Sequence, residues 1–394
     1  MFRKIFVTLK AGRIGFNPFG HFIQSGKADS RDPFPIHIKL KIDNSILADE
    51  EEENLSVFNR AMPVDIAIHH TMKCNLKCYM CIGHQAPSSM SNPEMDVNVF
   101  KKISDQCLPY AETVSLAVLG EPFVDIRIND ILDELQKCNI GLNIYSNFTA
   151  IKDEHIEKLA NCKFLTLHIS FDAATKHTYE FIRKGAKYDE VLNNIRKFVS
   201  YKQKALGSSR SIIRFQYVLM RKNVEELPDF VFLAKGLGID FIDVSYIVVN
   251  RKEMREESLF YYKEIATEYI LRAKKNADSV GITITHPIID GIDTEHKGSQ
   301  KRNEDSAKTI MRCRFLWKHT WINYNGDILP CSHLERPIMG NINEQPFSEV
   351  WNGKLYQEMR RGIREGNLFN CCKRCSHLEQ TVTSPQNEDS FVIV

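Results

Sequence analysis

The sequence predicts an α/β protein: a partial (β/α)6 barrel of the TIM type, followed by a small C-terminal domain built around a metal centre. Three observations predict it. From residue 64 to about 250, strand-like apolar runs alternate with helix-period segments, each pair taking roughly 25–35 residues. The cysteines gather in two tight groups at opposite ends of the chain. The composition, 43% hydrophobic and 26% charged over 394 residues, is that of a folded chain long enough for more than one domain.

Residues 64–69, 113–119, 140–146, 164–171, 212–220 and 241–249 are the six expected strands. Between the first two, Val97, Phe100, Ile103 and Cys107 recur at helical spacing; between the next two, Ile128, Ile131, Leu132, Leu135 and Cys138 do the same. Repeated strand–helix units build a parallel sheet, whose chemistry sits at the C-terminal ends of the strands. Residues 1–63 form an N-terminal extension, with a strand-like 36–42 and an acidic run over 49–53 read as a solvated loop. The barrel domain is taken as 64–290, with a helix over 258–276, and polar residues 291–310 as a linker. The C-terminal domain, 311–380, opens on a hairpin with its turn at Asn325-Gly326 and continues into a helix over 347–364. Residues 381–394 read as a frayed tail.

Lys+Arg 52 against Asp+Glu 50 leaves a formal charge of +2, so no overall field favours nucleic acid. No apolar run approaches the roughly 18–20 residues of a membrane helix, and Lys10 interrupts the opening MFRKIFVTLK before it could act as a signal core. A cytoplasmic protein with no membrane or nucleic-acid partner is expected.

In a reducing compartment, 11 cysteines point to metal rather than disulfides. Cys107 and Cys138 lie on apolar helical stripes and Cys162 at the far end of a strand, so these three read as core. Cys74, Cys78 and Cys81 directly follow the first strand in MKCNLKCYMC. A single zinc ion would need a fourth ligand from His69, His70 or His84. A four-iron cube held by three thiolates gives a better account and leaves one iron open for a non-protein ligand.

This loop resembles the signature of the radical S-adenosylmethionine (radical SAM) enzymes. The resemblance implies that the open iron is chelated by the methionine moiety of S-adenosylmethionine, whose reductive cleavage yields a 5'-deoxyadenosyl radical. It places Tyr79 near the adenine. Leu119-Gly120-Glu121-Pro122, after the second strand, resembles the family's Gly-Glu-Pro segment, in which Gly120, Glu121 and Pro122 would receive the methionine ammonium; an acceptor-only carboxylate suits a cation. Ser146 and Asn147 in YSNFT resemble the Thr-Asn-Gly turn, with Phe148 in place of the glycine. Ser170 and Asp172 in ISFDAAT resemble Ser-Leu-Asp-Gly: Ser170 would bond the cofactor, whereas Asp172 is divided between that role and capping the next helix. Arg183 matches an arginine that meets the methionine carboxylate. Gln216 and Met220 on strand five are weaker candidates.

Cys313, Cys331, Cys371, Cys372 and Cys375, with Gly326 between the first two, resemble the SPASM or shorter twitch extension of the same superfamily. That implies a second, closed 4Fe–4S cluster on Cys313, Cys331, Cys372 and Cys375, with Cys371 as the alternative to Cys372. The spare thiol, Cys371, is a weak candidate for a hydrogen-atom donor. A zinc ribbon is the rival for this group.

The expected protein is a radical SAM enzyme of oxidoreductase or isomerase type, with S-adenosylmethionine and two 4Fe–4S clusters as cofactors and an electron donor such as flavodoxin or ferredoxin. A four-cysteine extension resembles that of members that dehydrogenate, epimerise or deoxygenate small sugar-like or aminocyclitol metabolites, which is the substrate class favoured here. The alternative is a maturase for a ribosomally made peptide, in which residues 1–63 would grip a leader. A non-catalytic iron–sulfur or zinc protein and a tRNA-modifying enzyme are the remaining readings.

Overall fold

The structure is a computed structural model, and it describes residues 36–81, 94–116, 119–162, 164–204, 211–249, 251–287, 308–332, 336–373, 375 and 378–383. Helix α1 (Ile36–Glu53) leads into β1 (Asp65–His69), after which strands and helices alternate. They run as α2 (Val97–Gln106), β2 (Thr113–Leu116), α3 (Ile128–Lys137), β3 (Gly141–Ser146), α4 (Asp153–Ala160), β4 (Leu165–Ser170), α5 (Lys176–Ile182) and α6 (Tyr188–Lys204). The series continues through β5 (Ile212–Leu219), α7 (Leu227–Gly236), β6 (Phe241–Tyr246), α8 (Lys263–Val280) and β7 (Thr283–Thr285).

Strands β1 to β7 pair in sequence order, all parallel. The six expected strands are present; β2 ends at Leu116, residues 117–118 lie outside the described residues, and β6 stops at Tyr246. Alternation along β5 is strict: Ile213, Phe215, Tyr217 and Leu219 are buried while Arg214, Gln216 and Val218 are only partly so. With a side-chain period of 2, one face of the sheet is thus apolar and lies under the helices, and the other carries polar groups. The apolar stripe of α3, Ile128, Ile131, Leu132 and Leu135, is buried as its 3.6 spacing requires. Cys107 and Cys162 are core residues, and Cys138 packs against the core.

The C-terminal part does not stand apart from this sheet. It comprises β8 (Lys308–Arg312), α9 (Phe315–Lys318), β9 (His319–Asn323), β10 (Asp327–Leu329), β11 (Gly340–Asn341), α10 (Phe347–Trp351), α11 (Lys354–Glu365) and β12 (Glu379–Thr383). The expected hairpin forms, with Gly326 at φ 89° in its turn. Its first strand, β9, pairs in parallel with the free edge of β1. The result is a ten-stranded sheet in the order β11-β10-β9-β1-β2-β3-β4-β5-β6-β7. Its two ends do not pair with each other among the described residues, so the barrel is partial.

Several expectations are corrected. Residues 36–42 are helical, and the acidic run 49–53 belongs to the same helix rather than to a solvated loop. The inward positions of α1 are Lys41, Asn44, Ala48 and Glu51, a helical spacing hidden by polar residue types. Lys41 Nζ donates to the carbonyls of Leu108 (3.0 Å) and Ala111 (2.5 Å). Glu51 accepts from the backbone N–H groups of Arg60 (2.9 Å) and Ala61 (3.1 Å). The helix expected over 258–276 is a 3-10 turn, Leu259–Tyr261, followed by α8, which ends at Gly281 with φ 64°. The helix over 347–364 breaks into α10 and α11. Residues 288–307, most of the expected linker, and 384–394 of the expected tail lie outside the described residues. Residues 308–310 and 381–383 are strand, paired antiparallel in β8 and β12.

Lys41→Ala removes the ammonium donor from two carbonyls in the turn after α2 and opens a cavity beneath α1. A loss of about 2–4 kcal/mol of stability is expected, read as a lowered denaturant midpoint at unchanged slope.

Candidate active site

The C-terminal ends of the parallel strands surround a cavity of about 290 Å³. Cys74, Cys78 and Cys81 share its wall with Gly120, Glu121, Ser146, Asn147, Ser170 and Arg183. These residues come from the loop after β1 and the ends of β2, β3 and β4, with Arg183 at the C-terminal end of α5. Another cavity, about 270 Å³ between α2 and α3, holds none of them.

Gly120 is required by close approach. A Cβ there would come within 2.4 Å of the Thr71 carbonyl oxygen and 3.0 Å of that of Lys73. The chain after β2 therefore runs hard against the start of the cysteine loop, and Glu121 N–H donates to Lys73 O at 2.8 Å. The Glu121 side chain is buried and accepts from Ser146 Oγ (2.7 Å), Asn147 N–H (2.6 Å) and, more weakly, Phe123 N–H (3.3 Å). Through the last contact it also caps the short 3-10 turn Pro122–Val124. Burial holds its pKa up at about 7 against these donors. A cation entering the cavity would ionise it and gain a charge-assisted bond.

Two of the three sulfurs already have donors. Asn147 Nδ2 lies 3.7 Å from Cys74 Sγ, and Arg183 Nη1 lies 3.7 Å from Cys78 Sγ. Burial pushes the Cys74 thiol up to about 11 and raises Cys78 as well, so both are protonated without metal. Amide and guanidinium donors directed at sulfur suit thiolates, the form that a soft metal stabilises. The residues therefore fit an iron–sulfur centre. Neither His69 nor His70 lines the cavity; both are buried, and His69 Nδ1 is 3.1 Å from Asn323 Oδ1. His84 lies outside the described residues.

Five expected residues take other places. Tyr79 does not line the cavity: its ring packs on Phe181 (centroids 5.9 Å apart) and its carbonyl accepts from Arg251. Pro122 is buried behind Glu121. Asp172 neither caps a helix nor faces the cavity, because Thr175 caps α5 and Asp172 is fully buried. One of its oxygens pairs with Arg183 Nε (2.5 Å) and the other accepts from Val218 N–H (2.8 Å), so it aims the guanidinium. Met220 is core, and Gln216 reaches His168 and Asp243 instead of the cysteines. Phe148 keeps the backbone shape of the glycine it replaces, with φ 62° and a fully buried ring. Tyr145, Ser245 and Tyr246 line the cavity without having been anticipated. Their only signal was their position near the ends of β3 and β6.

In the C-terminal part, Cys313 lies within electrostatic reach of Cys331 and Cys375, and Cys372 of Cys371, Cys313 and Cys331. Burial pushes the Cys313 thiol up to about 12. Cys371 is buried, its sulfur 3.9 Å from that of Cys372, and it does not line the cavity of the first group. Among the described residues, no three His, Cys, Asp or Glu side chains close on a point that could hold a single metal ion. A four-iron cube is a wider object than one ion.

Two family models match the chain: the radical SAM superfamily over residues 68–234, and SPASM, an iron–sulfur cluster-binding domain, over residues 313–376. The chain belongs to the radical SAM superfamily. Its radical SAM domain and the cluster-binding domain after it imply S-adenosylmethionine and 4Fe–4S clusters as cofactors. A tungsten-containing aldehyde ferredoxin oxidoreductase cofactor-modifying protein of Pyrococcus furiosus is 24% identical over 78% of this chain and 85% of its own length. The antilisterial bacteriocin subtilosin biosynthesis protein AlbA of Bacillus subtilis is 21% identical over 76% of this chain and 61% of its own. Among solved structures, Streptococcus suis SuiB bound to precursor peptide SuiA superposes with a TM-score of 0.60 at 17% identity, covering 87% of this chain and 76% of SuiB. The fold is thus shared with SuiB. Among the described residues no helix is long and apolar enough to cross a membrane.

Two outcomes follow for the radical SAM cavity. Gly120→Ala displaces Glu121 and weakens S-adenosylmethionine binding at least tenfold by equilibrium dialysis, with far-UV circular dichroism unchanged. In the metal-free protein Glu121 holds its proton more tightly folded (about 7) than unfolded (near 4.5), so its contribution to stability declines as pH rises through that window. The decline is about 3 kcal/mol and is absent from the unfolding profile of Glu121→Gln.

Proposed function

We propose that this radical SAM enzyme is a maturase that abstracts a hydrogen atom from a peptide substrate. The observation that carries this reading is the shape of the cavity mouth. Val248 lines the cavity yet is 56% exposed, so the cavity reaches the surface there, beside the exposed Val249. An open, apolar rim suits an extended chain better than a small polyol, which binds by enclosure in hydrogen-bonding groups. The names of relatives support the same reading, including the bacteriocin biosynthesis protein and the peptide-bound SuiB. A Mycobacterium tuberculosis relative is a mycofactocin maturase. The sugar-like class expected from the sequence gains no support from them.

Cys74, Cys78 and Cys81 are the proposed ligands of the open cluster, and Cys313, Cys331, Cys372 and Cys375 those of the auxiliary one. When bound, the cluster and S-adenosylmethionine supply a 5'-deoxyadenosyl radical. The chain's own part is positioning and exclusion of water. Glu121, held by Ser146 and Asn147, takes the ammonium; Arg183, aimed by Asp172, is directed at carboxylate or sulfur; Ser170 offers a hydroxyl in the cavity wall. Flavodoxin or ferredoxin is the proposed electron donor.

With dithionite as reductant, replacing Cys74, Cys78 and Cys81 together by Ala is expected to abolish 5'-deoxyadenosine formation, measured by liquid chromatography; retained formation refutes this ligand set. Cys375→Ala is expected to lower bound iron by about half while leaving 5'-deoxyadenosine formation in place. Incubation with deuterated peptides and with deuterated sugars separates the substrate classes: label carried into 5'-deoxyadenosine from a sugar alone overturns the maturase reading.

A further inference from the structure

The polar face of the sheet carries a hydrogen-bonded chain that the cofactor reading does not use. Arg214 grips Asp243 through both ends of its guanidinium, Nε to Oδ2 at 2.6 Å and Nη2 to Oδ1 at 2.5 Å, and lies over the Phe241 ring. Thr285 Oγ1 donates to the same carboxylate at 2.8 Å. Asp243 is therefore an anion, its pKa held below the usual carboxylate value by these bonds against the opposing effect of burial. Gln216 Nε2 lies 2.7 Å from Asp243 Oδ2 and 3.0 Å from His168 Nδ1.

These contacts fix every hydrogen. The amide nitrogen of Gln216 faces the carboxylate, because its oxygen there would set two acceptors against each other. The second N–H of that nitrogen points at His168 Nδ1, which must then be an acceptor. His168 is consequently a neutral imidazole with its hydrogen on Nε2; a proton on Nδ1 would oppose the amide N–H. Burial agrees, lowering its pKa to about 4, with Asp243 and Arg214 acting in opposite directions. The ring is held flat against Tyr145, 4.1 Å between centroids at 9°, and Tyr145 lines the cavity beside the cysteines. His168 is only partly buried; its Nδ1 is bonded to Gln216, and no hydrogen bond to its Nε2 is found among the described residues.

We propose that His168 is a substrate-positioning residue: the Arg214–Asp243–Gln216 chain locks it as a permanent Nε2–H donor, which receives a carbonyl oxygen of the substrate beneath Tyr145. This deepens the maturase reading and rests on it, since amide carbonyls are the acceptors a peptide offers at every residue. The indole N–H of Trp321 gives the polar face another donor without a partner among the described residues, on β9.

The test uses the reconstituted holoenzyme with S-adenosylmethionine, labelled with ¹⁵N-histidine. The His168 resonance is assigned by its disappearance in His168→Phe. Neutral Nε2–H shifts are expected, unchanged down to pH 5. Titration with N-methylacetamide, an amide carbonyl probe, is expected to move the Nε2–H signal downfield saturably, and methylammonium, which only donates, is expected not to. In Gln216→Glu a carboxylate faces Nδ1, so the ring takes up a proton there and the Nδ1 signal changes. An Nδ1–H tautomer in the wild-type protein, or no saturable shift with N-methylacetamide, overturns the proposal whether or not the variant folds. Dithionite-driven 5'-deoxyadenosine formation is run in parallel on the wild-type protein. Its absence from the wild-type protein would count against the radical reading itself, and its presence without the shift against His168 alone.

Discussion

The arrangement around the cavity depends on one buried carboxylate. Glu121 bonds to Ser146 Oγ and Asn147 N–H, and its own N–H is tied to Lys73 O, so a single residue joins the loops after β1, β2 and β3. Unpaired, that carboxylate would cost several kcal/mol, which is why its partners are local and short. Gly120 lets the chain come close enough for this, and Asn147 extends the contact to Cys74.

A second tier performs the same service for the cations. Arg183 is buried, and its direction is set by Asp172, which is fixed in turn by the backbone of Val218. Arg214 is answered by Asp243. In each case a guanidinium meets a planar acceptor, the geometry for which Arg is suited and Lys is not. The cavity therefore combines firmly oriented polar groups with an apolar rim, and orientation rather than raw charge is what the chain contributes to chemistry performed by cofactors.

Much of this was legible in the residues. The six parallel strands followed from alternating patterns, and most residues named for the first cysteine group share one cavity because they occupy equivalent strand ends. Helix α1 was illegible because its buried positions carry Lys41, Asn44 and Glu51, each satisfied by backbone groups distant in sequence. Tyr79 and Asp172 do not line the cavity, because sequence position gives the strand end but not the direction of a side chain. The chain from Arg214 to His168 spans three strands, and only pairing register brings its members together. Phe148 shows the opposite case: a residue type that argued against the turn adopts it nonetheless, its ring anchored edge-on against Phe198.

The parallel pairing of β9 with β1 has a bearing on electrical coupling. Cys74 lies a few residues beyond one strand, while Cys313 and Cys331 bracket the hairpin that begins with the other. A hydrogen-bonded ladder, not a hinge, sets the spacing of the two sulfur-rich poles. Tunnelling between centres anchored in this way would keep a constant path length while the outer helices breathe.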